Sequence, residues 1–204
     1  MTTTTEDFVE RYLEEVRDVA ARIDRAAIHR LVDLMVDVRA KGGRVFFLGV
    51  GGSAGNASHA VNDFRKIANM EAYAPTDNVS ELTARINDEG WDTSFSSWLA
   101  GSKLAERDVV FILSVGGGDR DRNVSVNLVK AMDYAKTTGA RVCGIVGRDG
   151  GYTATIADEC VIVPTTTAET VTALAESFQA VVWHLLVSDP RLQAAPMKWE
   201  SLER

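Results

Sequence analysis

Residues 44–63 read Arg44-Val-Phe-Phe-Leu-Gly-Val-Gly-Gly-Ser-Ala-Gly-Asn-Ala-Ser-His-Ala-Val-Asn-Asp63, an apolar strand that runs into a glycine turn, a serine and then a helix. Gly49, Gly51 and Gly52 can adopt backbone angles closed to other residues. The helix that follows aims its unpaired N–H groups and positive dipole end at whatever lies over the turn. An anion is the natural guest. His59 and Asp63 are four residues apart on that helix and project from one face, within reach of a single atom.

Two nucleotide-binding fingerprints share this layout, and neither fits. The P-loop lysine is missing, since Gly52 is followed by Ser53 and Ala54. The dinucleotide register Gly49-Val-Gly51-Gly-Ser-Ala54 needs an acidic residue closing a second strand about 20 residues on. The chain there reads Asn69-Met-Glu-Ala-Tyr-Ala-Pro, with Glu71 at the wrong end.

The rest of the chain repeats the strand-to-helix change of period. Residues 5–40 carry apolar side chains at helical spacing (Phe8, Tyr12, Val16, Val19, Ile23, Ile28, Leu31, Met35), which predicts one long helix or two. Short apolar runs follow at Val45–Val50, Ala72–Pro75, Val109–Ser114, Arg141–Val146 and Val161–Val163, with helical patterns at 54–68, 91–104, 123–138 and 168–187. Continuous apolar strands alternating with helices imply a parallel sheet covered on both faces. The expected fold is therefore a three-layer α/β/α sandwich on a five-stranded parallel sheet. Residues 1–41 are expected to form a helical oligomerisation segment, and 42–204 the α/β domain. In such sheets ligands sit at the carboxyl ends of the strands. The glycine-rich loops 51–53, 114–125 and 147–151 would converge there.

With 204 residues, 46% of them hydrophobic, the chain suits one well-buried domain. No apolar run approaches the ~20 residues of a membrane span, and Met-Thr-Thr-Thr-Thr-Glu does not read as a signal peptide, so no membrane association and a cytoplasmic location are expected. A net charge of −7 without a basic run argues against nucleic acid. Cys143 and Cys160 lie in apolar strand-like segments and suit buried, reduced thiols. His29 has no obvious partner and reads as a surface or packing residue.

These motifs together resemble the SIS (sugar isomerase) domain, which has a flavodoxin-like sheet, and within it the phosphoheptose isomerase family. The resemblance covers nearly the whole chain. It rests on the N-terminal helical segment, Gly51-Gly-Ser53, His59 with an acid at 63, Ile86-Asn-Asp-Glu-Gly-Trp91, Gly147-Arg-Asp-Gly-Gly151 and a final helix bearing His184. It implies interconversion of sedoheptulose 7-phosphate and D-glycero-D-manno-heptose 7-phosphate through an enediol, in a homotetramer with active sites at subunit boundaries. It also implies a zinc ion, or another divalent metal, held by His59, Asp63, Glu176 and His184. Asp63 or Glu176 would be the base and His184 the acid. Gly51, Gly52, Ser53, Asn78, Ser114, Asn123 and Ser125 would bind substrate.

The chain departs from the family in its phosphate loop. Where the family reads Ser-Thr-Ser-Gly-Asn-Ser, this chain has Ser114-Val-Gly-Gly-Gly followed by Asp-Arg-Asp-Arg before Asn123-Val-Ser125. Hydroxyl donors are lost and guanidinium donors gained, so Arg120 or Arg122 is expected to hold phosphate bidentately. The rival arrangement pairs those arginines with Asp119 and Asp121 on a solvated loop. Asn78 replaces an Asp, and Asp63 replaces a Glu one methylene longer. A non-catalytic SIS module that senses sugar phosphate or assembles with other proteins is the alternative reading. An aminosugar-phosphate enzyme is a weaker third, for want of a glutamine-hydrolysing domain.

Overall fold

The computed structural model describes residues 5–197. Among them the elements run α1 (Thr5–Arg22), α2 (Arg25–Ala40), β1 (Val45–Leu48), α3 (Gly52–Lys66), β2 (Ala72–Tyr73), α4 (Val79–Glu89), α5 (Ser94–Gly101), β3 (Val109–Ser114), α6 (Val126–Thr138), β4 (Arg141–Val146), α7 (Gly151–Ile156), β5 (Glu159–Ile162) and α8 (Val171–Ser188). Short 3₁₀ turns at Pro75–Asp77 and Trp91–Thr93 precede α4 and α5. The five strands are parallel, in the order β2-β1-β3-β4-β5. The strand order reverses between β1 and β3, which opens a crevice at their carboxyl ends.

Strand alternation divides the core in two. Val45, Phe47, Val109, Phe111, Leu113, Cys143, Ile145 and Val161 face α2, α3 and α8, with Val19 of α1 reaching the same cluster. Phe46, Leu48, Val110, Ile112, Val142 and Val146 face α5 and α6. Phe47 stacks on Phe111 at 4.9 Å and meets Phe64 edge-on at 5.0 Å, tying α3 to β1 and β3. At the opposite end of the sheet, fully buried Asp108 accepts hydrogen bonds from the Arg44 backbone N–H (2.9 Å) and Nη2 (2.7 Å), fixing the starts of β1 and β3.

The helical stretch 5–40 is two helices, broken at Asp24, whose carboxylate accepts from the Ala26 and Ala27 N–H groups and caps α2. Leu31, Val32, Met35 and Val38 bury α2 in the main core, so apolar contact continues across the 41/42 boundary. Phe8, Val9 and Leu13 of α1 stay exposed. Two helices were missed from the sequence, α4 and α7. The pattern at 91–104 shortens to α5, and that at 123–138 starts only at Val126 because Asn123 and Ser125 are left-handed (φ 54 and 50). The expectation that nothing approaches a membrane span needs correction. By length and composition α8 alone among the described helices passes for one, yet Leu174, Phe178, Val182, Trp183 and Leu186 bury it against the sheet. Cys143 and Cys160 are free and lie on opposite faces; burial pushes the Cys143 thiol far up and that of Cys160 up to about 12.

One charged anchor holds α1. The nearly buried Glu15 carboxylate accepts from the Thr170 hydroxyl, and from those of Thr166 (2.7 Å) and Thr167 (3.3 Å), just ahead of α8. The Thr170 bond holds its pKa below the ordinary 4.5. That stabilisation is complete above the unfolded value and disappears as pH falls through the lower folded value. Glu15→Ala should lose about 1.5–3 kcal/mol of stability at pH 7, the range for hydrogen bonds to a charge. The gap between wild type and variant in urea denaturation should narrow well below pH 4.5.

Candidate active site between the first and last core helices

Helices α3 and α8 pack side by side with their numbering advancing together, through a buried polar seam. Gln179, fully buried, donates from Nε2 to Ser53 Oγ (3.1 Å) and accepts at Oε1 from Asn56 Nδ2 (3.0 Å), which also donates to the Glu176 carbonyl (2.9 Å). One turn further on, the seam brings His59, Asp63 and His184 together. Asp63 Oδ2 lies 3.8 Å from His59 Nε2 and 3.7 Å from His184 Nε2, and the three potential ligand atoms are all within 4.8 Å of one another.

The surroundings fix how these groups point. Asn62 Nδ2 donates to Asp63 Oδ1 at 2.8 Å, leaving Oδ2 toward the histidines. His184 Nδ1 lies 2.8 Å from the Ala180 carbonyl; a carbonyl only accepts, so Nδ1 carries the proton and the neutral ring's lone pair sits on Nε2. Trp183, fully buried, lies tilted against His184 (3.5 Å between centroids) and meets His59 edge-on (4.7 Å). A His–Asp–His set with converging donors could hold a metal ion, and its ligand types suit zinc.

Glu176 stands apart from the cluster. Its carboxylate lies against Gly52, where an added Cβ would sit 2.3 Å from Oε2, so a side chain there would displace the carboxylate. Along α8 it is about 12 Å from His184, eight residues at 1.5 Å each. Half-buried, it has no hydrogen-bond or ionic partner among the described residues. Gly51, the N-cap of α3, takes the left-handed angle the turn requires (φ 64).

Next to it, Ser53, Ser114, Ser125 and Thr172 line a cleft of about 280 Å³ at the carboxyl ends of β1 and β3. Ser114 Oγ accepts from Gly117 N–H (3.0 Å) and Ser53 Oγ accepts from Gln179, so both hydroxyls keep a proton to donate. Arg148, Thr172, Asn56 and Gln179 were not read as site residues. For Gln179 the available signal was a polar residue one turn after Glu176 on the same apolar helix.

The other expected substrate contacts lie elsewhere. Asn78 caps α4 by accepting from Glu81 N–H (3.3 Å) and lines a separate pocket near Arg44 and Tyr73. Asp119 and Val124 pair through their backbones, making a small hairpin that puts Asn123 at an exposed tip. Arg120 turns away to Asp133 (2.6 Å) and the Tyr152 hydroxyl (2.6 Å), with its guanidinium over the Tyr152 ring. The Asp133 charge pushes its pKa up. Arg122, 84% exposed, sits 3.7 Å from Asp119. Of the two arginines only Arg122 thus follows the rival pairing with the loop's own acids.

The two glycine loops converge through their backbones. Tyr152 and Thr153 N–H groups donate to the Gly118 and Gly117 carbonyls (2.8 and 3.0 Å), and a Cβ on Gly151 would meet Gly116 O at 2.1 Å. The 147–151 loop therefore props the 114–118 loop.

Comparison with known proteins places this architecture. The chain belongs to the SIS domain family, whose profile matches residues 11–147. Among its relatives, the phosphoheptose isomerase of Syntrophotalea carbinolica is 34% identical over 165 residues, covering 76% of this chain and 80% of that protein. The lincomycin biosynthesis protein LmbN of Streptomyces lincolnensis is 34% identical over 159 residues, 75% of this chain, which spans 58% of that protein's length. The structure of phosphoheptose isomerase GmhA from Neisseria gonorrhoeae superposes with a TM-score of 0.78 at 26% identity, over 90% of this chain and 98% of that one.

The interlocked loops give a direct test. Gly117 has φ +71, and a Cβ there would lie 2.0 Å from the Gly150 carbonyl, whereas at Gly116 it meets nothing within 4 Å. Gly117→Ala should lower the thermal midpoint markedly, since left-handed strain alone costs about 1–2 kcal/mol before the clash is counted. Gly116→Ala should melt near wild type.

Proposed function

We propose that the chain is a ketose–aldose isomerase acting on a sugar phosphate, with sedoheptulose 7-phosphate and D-glycero-D-manno-heptose 7-phosphate as its substrate pair. The observation that carries this reading is the unpartnered Glu176 carboxylate against Gly52, the residue before Ser53, which lines the hydroxyl-rich cleft. Both oxygens of Asp63 already face other groups, so Glu176 is the free base. It takes the proton from the carbon next to the carbonyl and returns it to the neighbouring carbon. The oxygen-bound proton passes from one enediol oxygen to the other, and His184 carries it on Nε2 when that lone pair is not engaged by a metal. The serine hydroxyls and the first-turn N–H groups of α6 hold the phosphate. The phosphoheptose isomerases among the relatives support a phosphoheptose substrate.

His59, Asp63 and His184 would hold a zinc ion, which when bound acts as a Lewis acid toward the sugar oxygens. Glu176 and His184 of one chain are too far apart to serve adjacent carbons, and the reading joins them across copies of a homotetramer. Exposed Phe8, Val9 and Leu13 on α1 and Val181 and Leu185 flanking His184 on α8 support such contacts.

Incubated with sedoheptulose 7-phosphate in D₂O, the protein should form the aldose with deuterium at C2, as followed by NMR. Glu176→Gln should slow this by at least about a hundredfold, the lower range for losing a general base. Neither turnover nor exchange, with binding intact, would point to the sensor reading instead. Prolonged chelation should lower the rate, and zinc should restore it. Mixing Glu176→Gln and His184→Ala subunits should recover part of the activity that each lacks alone; no recovery would place both groups in one chain's site.

A further inference from the structure

The cleft that Ser53, Ser114, Ser125 and Thr172 line has one cation on its wall, Arg148, in the turn after β4. Its side chain is exposed and, among the described residues, engages no carboxylate, hydroxyl or carbonyl. This sets it apart from Arg120, held by Asp133 and Tyr152, and from Arg122 beside Asp119. Its neighbour Asp149 is spent locally, accepting from the Gly151 N–H at 3.1 Å. Arg148 is also left-handed (φ 54), a conformation that costs a non-glycine residue about 1–2 kcal/mol. Gly147 precedes it and Gly150 follows Asp149, and at the strained position itself the chain carries a guanidinium rather than a glycine.

We propose that Arg148 is the charged anchor for the phosphate of the substrate, supplying in this chain the donors that Val115, Gly116 and Gly117 cannot. The reading rests on the isomerase assignment above for the identity of the sugar, but the anion contact stands on the cleft itself. The guanidinium presents a planar fork to two phosphate oxygens, while the Ser114 and Ser53 hydroxyl protons and the start of α6 face the others. The 114–118 loop, clamped to Tyr152 and Thr153, fixes the serine side of the cleft, and the turn Gly147–Gly150 fixes the arginine side. Arg148 lines the neighbouring cleft of about 570 Å³ as well, placing it on the wall between the two. The ligand class is a phosphomonoester dianion; the unphosphorylated sugar lacks the group Arg148 would hold.

The test compares wild type, Arg148→Ala, Arg148→Lys and Arg107→Gln, the last removing a charge at the far end of the sheet. Alanine leaves the left-handed strain as it is, so the thermal midpoint of Arg148→Ala should stay near wild type. Binding of inorganic phosphate, titrated calorimetrically, should weaken about 10- to 100-fold in Arg148→Ala, the equivalent of one or two charge-assisted hydrogen bonds. Arg148→Lys should fall between, and Arg107→Gln should bind as wild type does. In turnover, KM for sedoheptulose 7-phosphate should rise by a similar factor with kcat changed less. Phosphate affinity within twofold of wild type in folded Arg148→Ala overturns the proposal, whether or not the protein is an isomerase. Arg148-dependent phosphate binding without turnover sinks the isomerase reading and leaves the anchor standing. A wild-type protein with no measurable affinity for inorganic phosphate or the sugar phosphate overturns the anchor outright.

Discussion

The buried amide of Gln179 governs the rest of the site. A primary amide sealed from water must fill both its donor and acceptor capacity or cost the fold about 1–3 kcal/mol for each group left bare. Here its donor side meets Ser53 and its acceptor side meets Asn56, both on α3, while Asn56 also grips the Glu176 carbonyl. That set of bonds allows one register of α3 against α8. Slide either helix by a residue and the amide loses its partners. With the register fixed, Glu176 must fall against Gly52 and His184 against Asp63. The positions of the chemical groups follow from a residue sealed inside the helix seam.

A second constraint shapes the opposite wall. The glycines at 116–118 and 150–151 form a backbone-to-backbone contact too close for any side chain at Gly117 or Gly151. The first N–H groups of α7 are spent on the carbonyls of Gly117 and Gly118 and are not available to an anion. In the function proposed above, phosphate is therefore left with side-chain hydroxyls, the start of α6 and whatever cation stands nearby. Arg120 meets its electrostatic needs within the protein, between an aspartate and a tyrosine, and Arg148 does not. A guanidinium already paired with a carboxylate must give up that pair to bind phosphate, so the unpaired one binds at lower cost.

Those constraints also explain what could be read from the sequence. The β1–α3 unit was legible because four buried strand residues, a glycine turn and a helix follow one another within a short span. The His59–Asp63 pair was legible because helical spacing alone puts both on one face, and His184 came through the family resemblance. Helix α4 was hidden because none of its residues is buried, leaving no core stripe to betray it; its cap, Asn78 with Glu81 three residues on, was the available sign. Arg120 misled because composition cannot reveal that Asp133, thirteen residues away, and Tyr152 would claim it. Glu176 and His184 entered one ligand set through the family resemblance, and eight residues put them roughly 80° apart around α8, still able to face one crevice. The 12 Å of axial rise between them is invisible to a helical wheel.

That axial separation bears on why α8 is so apolar. A helix that served only as core would need one buried stripe, and α8 has it in Leu174, Phe178, Val182 and Leu186. Its polar stations, Glu176, Gln179 and His184, line the seam with α3 and are occupied by the site. Val181 and Leu185 belong to neither face and remain exposed, although a solvated position would normally carry a charge there. Together with Phe178, Val182 and Ile28 they wall an apolar hollow of about 320 Å³ between α8 and the start of α2. A helix that packs a sheet on one side, carries the site on a second and offers aliphatic side chains on a third has no surface left for charge. Its composition therefore mimics a membrane span while its contacts are those of a core helix with one aliphatic face left exposed.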